Sequence, residues 1–191
     1  WDVRSVSTFI KSQHSLALSI SKDGDIVILN SSGDLLKIKS NNGRIYWSLN
    51  TTGSLLTHGT DFFKSSDIIT VDKDIIFATS SSIFSFNLDN GYLNWKKDIG
   101  SKNTPIIDGN NVFLVSDNGY FVNLDRQTGK IIWSTNILKV LKKKKQKTYI
   151  TGFIMGSGKI YAVSLNGYLI VCSAVSGNVE YSKKIGDIIT T

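Results

Sequence analysis

Four times along this chain a polar residue and a glycine are followed, four positions after the glycine, by a large aromatic ring. The phrases are Asn42-Gly43-Arg44-Ile45-Tyr46-Trp47, Asn90-Gly91-Tyr92-Leu93-Asn94-Trp95, Thr128-Gly129-Lys130-Ile131-Ile132-Trp133 and Ser176-Gly177-Asn178-Val179-Glu180-Tyr181. The glycines at 43, 91, 129 and 177 are spaced 48, 38 and 48 residues apart. Self-similarity at this period marks a repeat architecture, and a unit of roughly 40 residues has the length of a β-propeller blade.

Within each unit the apolar residues fall in short runs rich in Ile, Val, Phe and Tyr, bounded by turn residues, which are strand and hairpin signals. Residues 104–108, 111–115, 120–124 and 130–134 form such a set, separated by Asp108-Gly109-Asn110, Asn118-Gly119 and Thr128-Gly129. The other units read alike: 15–20, 25–30, 35–40 and 44–49; 67–71, 74–79, 83–88 and 92–96; 149–155, 159–163, 168–173 and 178–182. The prediction is an all-β chain of four four-stranded antiparallel blades, over about 12–49, 67–97, 104–134 and 148–183. The single proline, Pro105, opens the first strand of its blade, where a missing N–H is tolerated.

Four blades are few for a closed ring, and an open arc leaves edges that pair with other chains. The 191 residues are therefore expected to be part of a larger propeller. Trp1 fits the closing aromatic of a preceding blade, and a start other than Met implies processing, trimming or excision from something longer. No run of 18 or more apolar residues is present to form a membrane-spanning helix.

The phrase in which Leu124-Asp125 precedes Thr128-Gly129-Lys130-Ile131-Ile132-Trp133 resembles the PQQ-type propeller repeat with its tryptophan docking pattern. The succession of residues 100–103, 112–115, 137–141 and 167–169 is similar to the BamB family, the propeller lipoproteins of the outer-membrane β-barrel assembly machinery. This resemblance implies the C-terminal half of an eight-bladed propeller. It also implies a non-enzymatic scaffold at the periplasmic face of the outer membrane, held by a lipid anchor outside this chain. The implied partners are the POTRA domains of a BamA-like barrel subunit and unfolded outer-membrane proteins.

The links from each blade's last strand to the next blade's first strand are long at 50–66 and 135–148 and short at 98–103, which accounts for the uneven spacing. In a propeller these links leave on one face, together with residues 5–14, and binding residues concentrate on loops held by a rigid scaffold. The family carries a Leu-x-Leu-Arg element in one such loop. Its best match is Thr8-Phe9-Ile10-Lys11, in which Ile10 and Lys11 keep apolar and basic character and Thr8 departs. An acidic Asp-x-Asp element in a second family loop aligns with Lys64-Ser65-Ser66, leaving Asp61 and Asp67 as displaced candidates. The expected partner-binding residues are Phe9, Ile10, Lys11, Asp61, Phe62, Phe63, Lys64 and Asp67, with strand edges offered for β-augmentation as a further route.

Quinone-dependent dehydrogenases share the repeat and compete with this reading. They use a Ca²⁺ site, an Asp base and often a vicinal cysteine pair. Cys172 is the only cysteine, His14 and His58 are the only histidines, and most aspartates sit at turns, where they cap their own backbone. Neither a cofactor nor a metal is expected, and no residue is assigned a catalytic role. A general protein-interaction propeller is the other alternative.

Trp47, Trp95, Trp133 and Tyr181 share one repeat position and are expected to pack blade against blade. Cys172 lies five residues before Gly177, as Ile38, Phe86 and Leu124 do before their glycines, and is expected to be a small buried hydrophobe. The net charge of +7 includes the run Lys142-Lys143-Lys144-Lys145 with Lys147. In one loop with only Tyr149 as a neighbouring aromatic, that run suits an acidic surface or anionic headgroups better than nucleic acid.

Overall fold

At the turn between the third and fourth strands of each sheet a glycine adopts a left-handed backbone, with φ of 72° at Gly43, 76° at Gly91, 65° at Gly129 and 70° at Gly177. Each donates its N–H to the carbonyl four residues back, Gly91 to Asn87 at 2.8 Å and Gly177 to Ser173 at 2.9 Å, for example. The computed structural model of the chain describes residues 17–30, 33–51, 65–141 and 148–187.

These residues form four four-stranded antiparallel sheets, each in simple sequential order. The first holds β1 (Ala17–Ile20), β2 (Ile26–Leu29), β3 (Asp34–Ile38) and β4 (Ile45–Asn50). The second holds β5 (Ile69–Val71), β6 (Asp74–Ala78), β7 (Ile83–Asn87) and β8 (Leu93–Lys97). The third holds β9 (Ile106–Asp108), β10 (Asn111–Val115), β11 (Tyr120–Asp125) and β12 (Ile131–Asn136). The fourth holds β13 (Ile150–Gly156), β14 (Lys159–Ser164), β15 (Tyr168–Ser173) and β16 (Val179–Lys184). This is the all-β architecture of propeller blades that the repeat predicts.

A β-bulge that the hydrophobic pattern does not signal recurs in every sheet. Register slips by one residue between the third and fourth strands, from Lys37↔Trp47 to Ile38↔Ile45, Ser85↔Trp95 to Phe86↔Leu93, Asn123↔Trp133 to Leu124↔Ile131, and Val171↔Tyr181 to Cys172↔Val179. The extra residues are Tyr46, Asn94, Ile132 and Glu180, each immediately before the repeated aromatic. A bulge bends its strand and re-aims the neighbouring side chain, so the turn glycine and the ring form one device.

The chain divides into two compact units, Trp1–Thr104 and Pro105–Thr191. In the first, Ala17, Val27, Leu29 and Leu35 of the first sheet pack against Ile75, Phe77, Phe84 and Phe86 of the second. The three phenylalanines stack with centroids 5.4 to 6.1 Å apart. Trp47 lies over Gly91, where an added Cβ would come within 2.8 Å of its Cε3. Its indole N–H donates to Leu88 O at 3.1 Å.

In the second unit, Phe113, Phe121 and Val115 pack against Ile150, Ile160, Ala162, Ile170 and Cys172. Trp133 covers Gly177 so closely that no Cβ fits there. Its ring meets Phe121 edge-on at 4.8 Å and 70°. The indole N–H of Trp133 is buried without an acceptor, unlike that of Trp47. Cys172 is fully buried, as are Ile38, Phe86 and Leu124 at the same repeat position. Burial pushes its thiol up to about 11, with Glu180 adding to the shift.

Replacing either tryptophan by Phe removes the N–H and some ring area. The losses should differ by about 1 kcal/mol, Trp47→Phe being the more costly because only Trp47 has an acceptor to lose. Urea unfolding of both variants checks this, and equal losses would assign the Trp47–Leu88 hydrogen bond no net stability. In the folded chain Cys172 should resist alkylation at pH 8, because its thiolate fraction there is only about one in a thousand, and should react fully once unfolded. A folded pKa above the unfolded value also means stability is intact below about pH 9 and falls as pH rises through about 11.

Candidate functional site

The β2–β3, β6–β7, β10–β11 and β14–β15 hairpins and the links between sheets leave from the same strand ends. Asp34 pins the base of the first long link. Its backbone N–H donates to Asn30 Oδ1 at 2.9 Å, and Asn30 Nδ2 donates back to Asp34 Oδ2 at 3.0 Å. Asn50 Nδ2, on the last residue of β4, donates to Asp34 Oδ1 at 2.6 Å. Thr51 then places both its N–H and its hydroxyl on Gly33 O, at 2.8 and 2.7 Å. The link therefore starts from a fixed stub.

It returns through Ser66, whose N–H donates to Ala78 O at 2.8 Å while its hydroxyl accepts from Ala78 N–H at 3.0 Å and donates to Asp67 O at 2.9 Å. Asp67 itself is exposed, with its Oδ2 accepting from the Thr104 hydroxyl at 3.3 Å. Of the expected partner-binding residues, Asp67 alone is among the described ones. Phe9, Ile10, Lys11, Asp61, Phe62, Phe63 and Lys64 lie outside the described residues, as do His14, His58 and Lys142 to Lys147.

The short second link is closed on itself. Ser101 N–H donates to Thr79 O at 2.9 Å, and its hydroxyl accepts from Asn103 N–H at 3.2 Å and donates to Asn103 O at 3.0 Å. Asp98 takes a hydrogen bond from the Ser82 hydroxyl at 3.2 Å and an ion pair from Lys96 at 3.2 Å. Those contacts, Lys96 first, hold its carboxyl below the usual value.

The third link opens with a turn of 3₁₀ helix, Ile137–Val140. Ile137 is fully buried and donates its N–H to Gly119 O at 3.0 Å. Leu138 fills the space that a Cβ on Gly119 would take, and Val140 and Leu141 join the core of the second unit. The blade spacing predicts one long loop over 135–148, and the structure turns its start into a helical anchor. The i, i+3, i+4 spacing of Ile137, Val140 and Leu141 was the signal for this anchored turn. Both long links are thus tied down by buried contacts next to the stretches that vary in length.

The repeat aromatics divide by environment. Trp95 is 7% exposed, Trp47 and Trp133 are half-buried over their glycines, and Tyr181 is 50% exposed. Among the described residues no group of three or more His, Cys, Asp or Glu side chains converges as a metal site.

Comparison with known proteins places this geometry in a family. The family model described as "Outer membrane protein assembly factor BamB" matches residues 1–135. The curated BamB of Yersinia pestis is 23% identical over 182 residues, covering 88% of this chain and 43% of that protein. That of Escherichia coli (strain K12) is 23% identical over 167 residues, covering 85% and 40%. The chain thus spans less than half the length of these relatives.

Among solved structures, BamB from Moraxella catarrhalis superposes with a TM-score of 0.66 at 18% identity, over 92% of this chain and 52% of that one. The β-propeller domain of Myceliophteria thermophila Cps50 (Swd1) gives 0.69 at 14%, over 98% and 60%. Quinohemoprotein alcohol dehydrogenase from Comamonas testosteroni gives 0.63 at 14%, over 84% and 34%. At these identities the structural likeness is one of fold, shared by assembly factors and enzymes alike. The family model matches residues 1–135, more than half of the chain, and the chain belongs to the BamB family of outer membrane protein assembly factors.

Proposed function

We propose that the chain is a non-enzymatic scaffold of the outer-membrane β-barrel assembly machinery, acting at the periplasmic face of the outer membrane. On this reading it binds the POTRA region of a BamA-like barrel-forming subunit and helps present unfolded outer-membrane proteins for insertion. Membrane association runs through a lipid anchor outside these residues. The observation that carries the reading is the family match over residues 1–135.

The proposed contact surface is the face from which the links leave. Phe9, Ile10 and Lys11 supply an apolar and basic contact; Asp61, Phe62, Phe63, Lys64 and Asp67 supply a second one. The anchoring of the first link at Asn50, Thr51 and Ser66 supports this choice. A loop rigid at both feet loses less conformational freedom on binding than one that is free throughout. On this reading Asp67, which is exposed beside the return foot, meets a basic partner residue. The Lys142 to Lys147 run is assigned to an acidic protein surface or anionic headgroups rather than to nucleic acid.

A quinone-dependent dehydrogenase is the competing reading, and the vicinal cysteine pair that such enzymes often use cannot come from the single cysteine of these residues. Cys172, the sole cysteine, is a buried thiol with a raised pKa.

Binding to a purified POTRA-domain array, followed by biolayer interferometry, tests the proposal. The double variant Ile10→Glu, Lys11→Glu should weaken binding at least about tenfold, or roughly 1.4 kcal/mol, with an unchanged circular dichroism spectrum. Asp67→Lys should act mainly by lowering the association rate, with an effect that shrinks at high salt. Unchanged affinity in the double variant would remove the Phe9–Lys11 contact. Absence of binding by the wild-type chain would remove the scaffold assignment.

A further inference from the structure

The net charge of +7 is not shared between the two units. Trp1–Thr104 has eleven Lys and Arg against ten Asp and Glu, a net of +1, whereas Pro105–Thr191 has eleven against five, a net of +6. From Arg126 through Val179 no acidic residue occurs.

Within the second unit the charge is divided again, between the two ends of the strands. At the end that carries the β9–β10, β11–β12, β13–β14 and β15–β16 turns, Arg126, Lys130 and Lys159 are matched by Asp108, Asp125 and Glu180. Lys159 pairs with Glu180 there at 2.8 Å. That end is neutral. The other end holds the β10–β11 and β14–β15 hairpins and the third link. Lys139, Lys183 and Lys184 lie at it, and the chain between Leu141 and Thr148 adds Lys142 to Lys145 and Lys147. Against these eight lysines stand Asp117 and Asp187, and Asp187 is paired with Lys184 at 2.8 Å. The net charge of the unit therefore comes from one end.

Packing gives that end a fixed frame. The 3₁₀ turn that carries Lys139 lies against β16, the strand that ends in Lys183 and Lys184. Buried Ile137 and Leu138, seated on Gly119, hold the turn in place and leave Lys139 exposed. Two tyrosines flank the lysines at the same strand ends. Tyr120 opens β11 and is 42% exposed, and Tyr149, just before β13, is 45% exposed. Tyrosine combines an apolar body with a polar tip, which suits a bilayer interface, and lysine stems behave likewise.

Sign and residue type select the partner. Protein surfaces intersperse both signs, whereas a bilayer containing acidic lipids presents one sign over a wide area. All eight cations at this end are lysines, hydrated point charges suited to diffuse attraction. Arginine is the residue that reads phosphodiesters and base edges in fixed geometry, and the unit's one arginine, Arg126, is at the neutral end.

We propose that this lysine-rich end of the second unit rests on an anionic phospholipid surface, with Lys139, Lys183 and Lys184 at the headgroup phosphates and Tyr120 and Tyr149 at headgroup depth. The contact orients the propeller on the bilayer, because the opposite end is neutral. It rests on the scaffold reading for where the chain meets a membrane. Vesicle binding and POTRA binding are separate measurements, so either can fail with the other intact.

Cosedimentation with vesicles of equal parts phosphatidylcholine and phosphatidylglycerol tests the proposal, with phosphatidylcholine alone as the uncharged control. The chain should bind the anionic vesicles, release them as salt is raised, and leave the neutral ones unbound. Lys139→Gln with Lys183→Gln should weaken binding about fivefold for each charge removed. Lys130→Gln with Lys159→Gln removes the same charge from the opposite end and should leave binding unchanged. All four positions are exposed, so the circular dichroism spectrum should persist in both variants. Replacing Lys142 to Lys145 by Gln should abolish vesicle binding.

Equal losses in the two double variants would mean attraction to net charge without orientation and overturn the proposal, as would equal binding to neutral vesicles or none to anionic ones. Duplex DNA bound at least as tightly at the same salt would assign this end to nucleic acid instead. Polyglutamate bound at least as tightly would assign it to an acidic protein.

Discussion

An indole ring resting on a glycine of the next sheet is the contact on which the rest of each unit depends. A four-stranded sheet satisfies its own backbone hydrogen bonds, but it has two broad faces and cannot bury both by itself. Trp47 over Gly91 and Trp133 over Gly177 fix where the next sheet begins and how it is rotated. Each partner is constrained. The glycine must accept a φ near +70° and carry no Cβ, and the ring must be turned by the bulge that precedes it. The phenylalanine stack of the second sheet and the Phe113–Phe121–Trp133 cluster then fill space already defined by that contact.

Once sheets are registered by ring and glycine, the links between them no longer need to do so. This is why the repeat tolerates spacings of both 38 and 48 residues. The short link closes through Ser101 and Thr79, and the described feet of the long ones are held by Asp34, Ser66 and Ile137. Structural constraint and freedom to vary are separated along the chain. A family of assembly factors can change its loop contacts on such a frame without altering the packing of its blades.

The same contact explains why chemically similar residues have different fates. Phe86 and Cys172 are buried alike because their position points into the core that each sheet shares with the one before it in its unit. Ile154 and Ser19 share a position, yet the isoleucine is open to solvent and the serine meets Thr70. Trp47 and Trp133 share a ring position, but only one indole N–H finds an acceptor. Repeat position sets direction; the neighbouring sheet sets energy.

Strand order, turn glycines and the all-β class were legible in the amino-acid sequence because they are local. Alternation along a strand and the need for φ above zero at a turn act over a few residues. The candidate contacts at 9–11 and 61–64 rested on resemblance, since loop recognition has no periodicity to read. The bulges before Trp47, Trp95, Trp133 and Tyr181 were not legible, because a pairing register belongs to two strands at once. The turn at Ile137–Val140 left only the spacing of Ile137, Val140 and Leu141 as a trace, and its place is set by Gly119 and the core around it. The sequence by itself determined where each blade and its docking ring would be. Only the tertiary structure decided which rings and apolar faces are covered, because burial is a property of the surface that arrives opposite and not of the residue that waits for it.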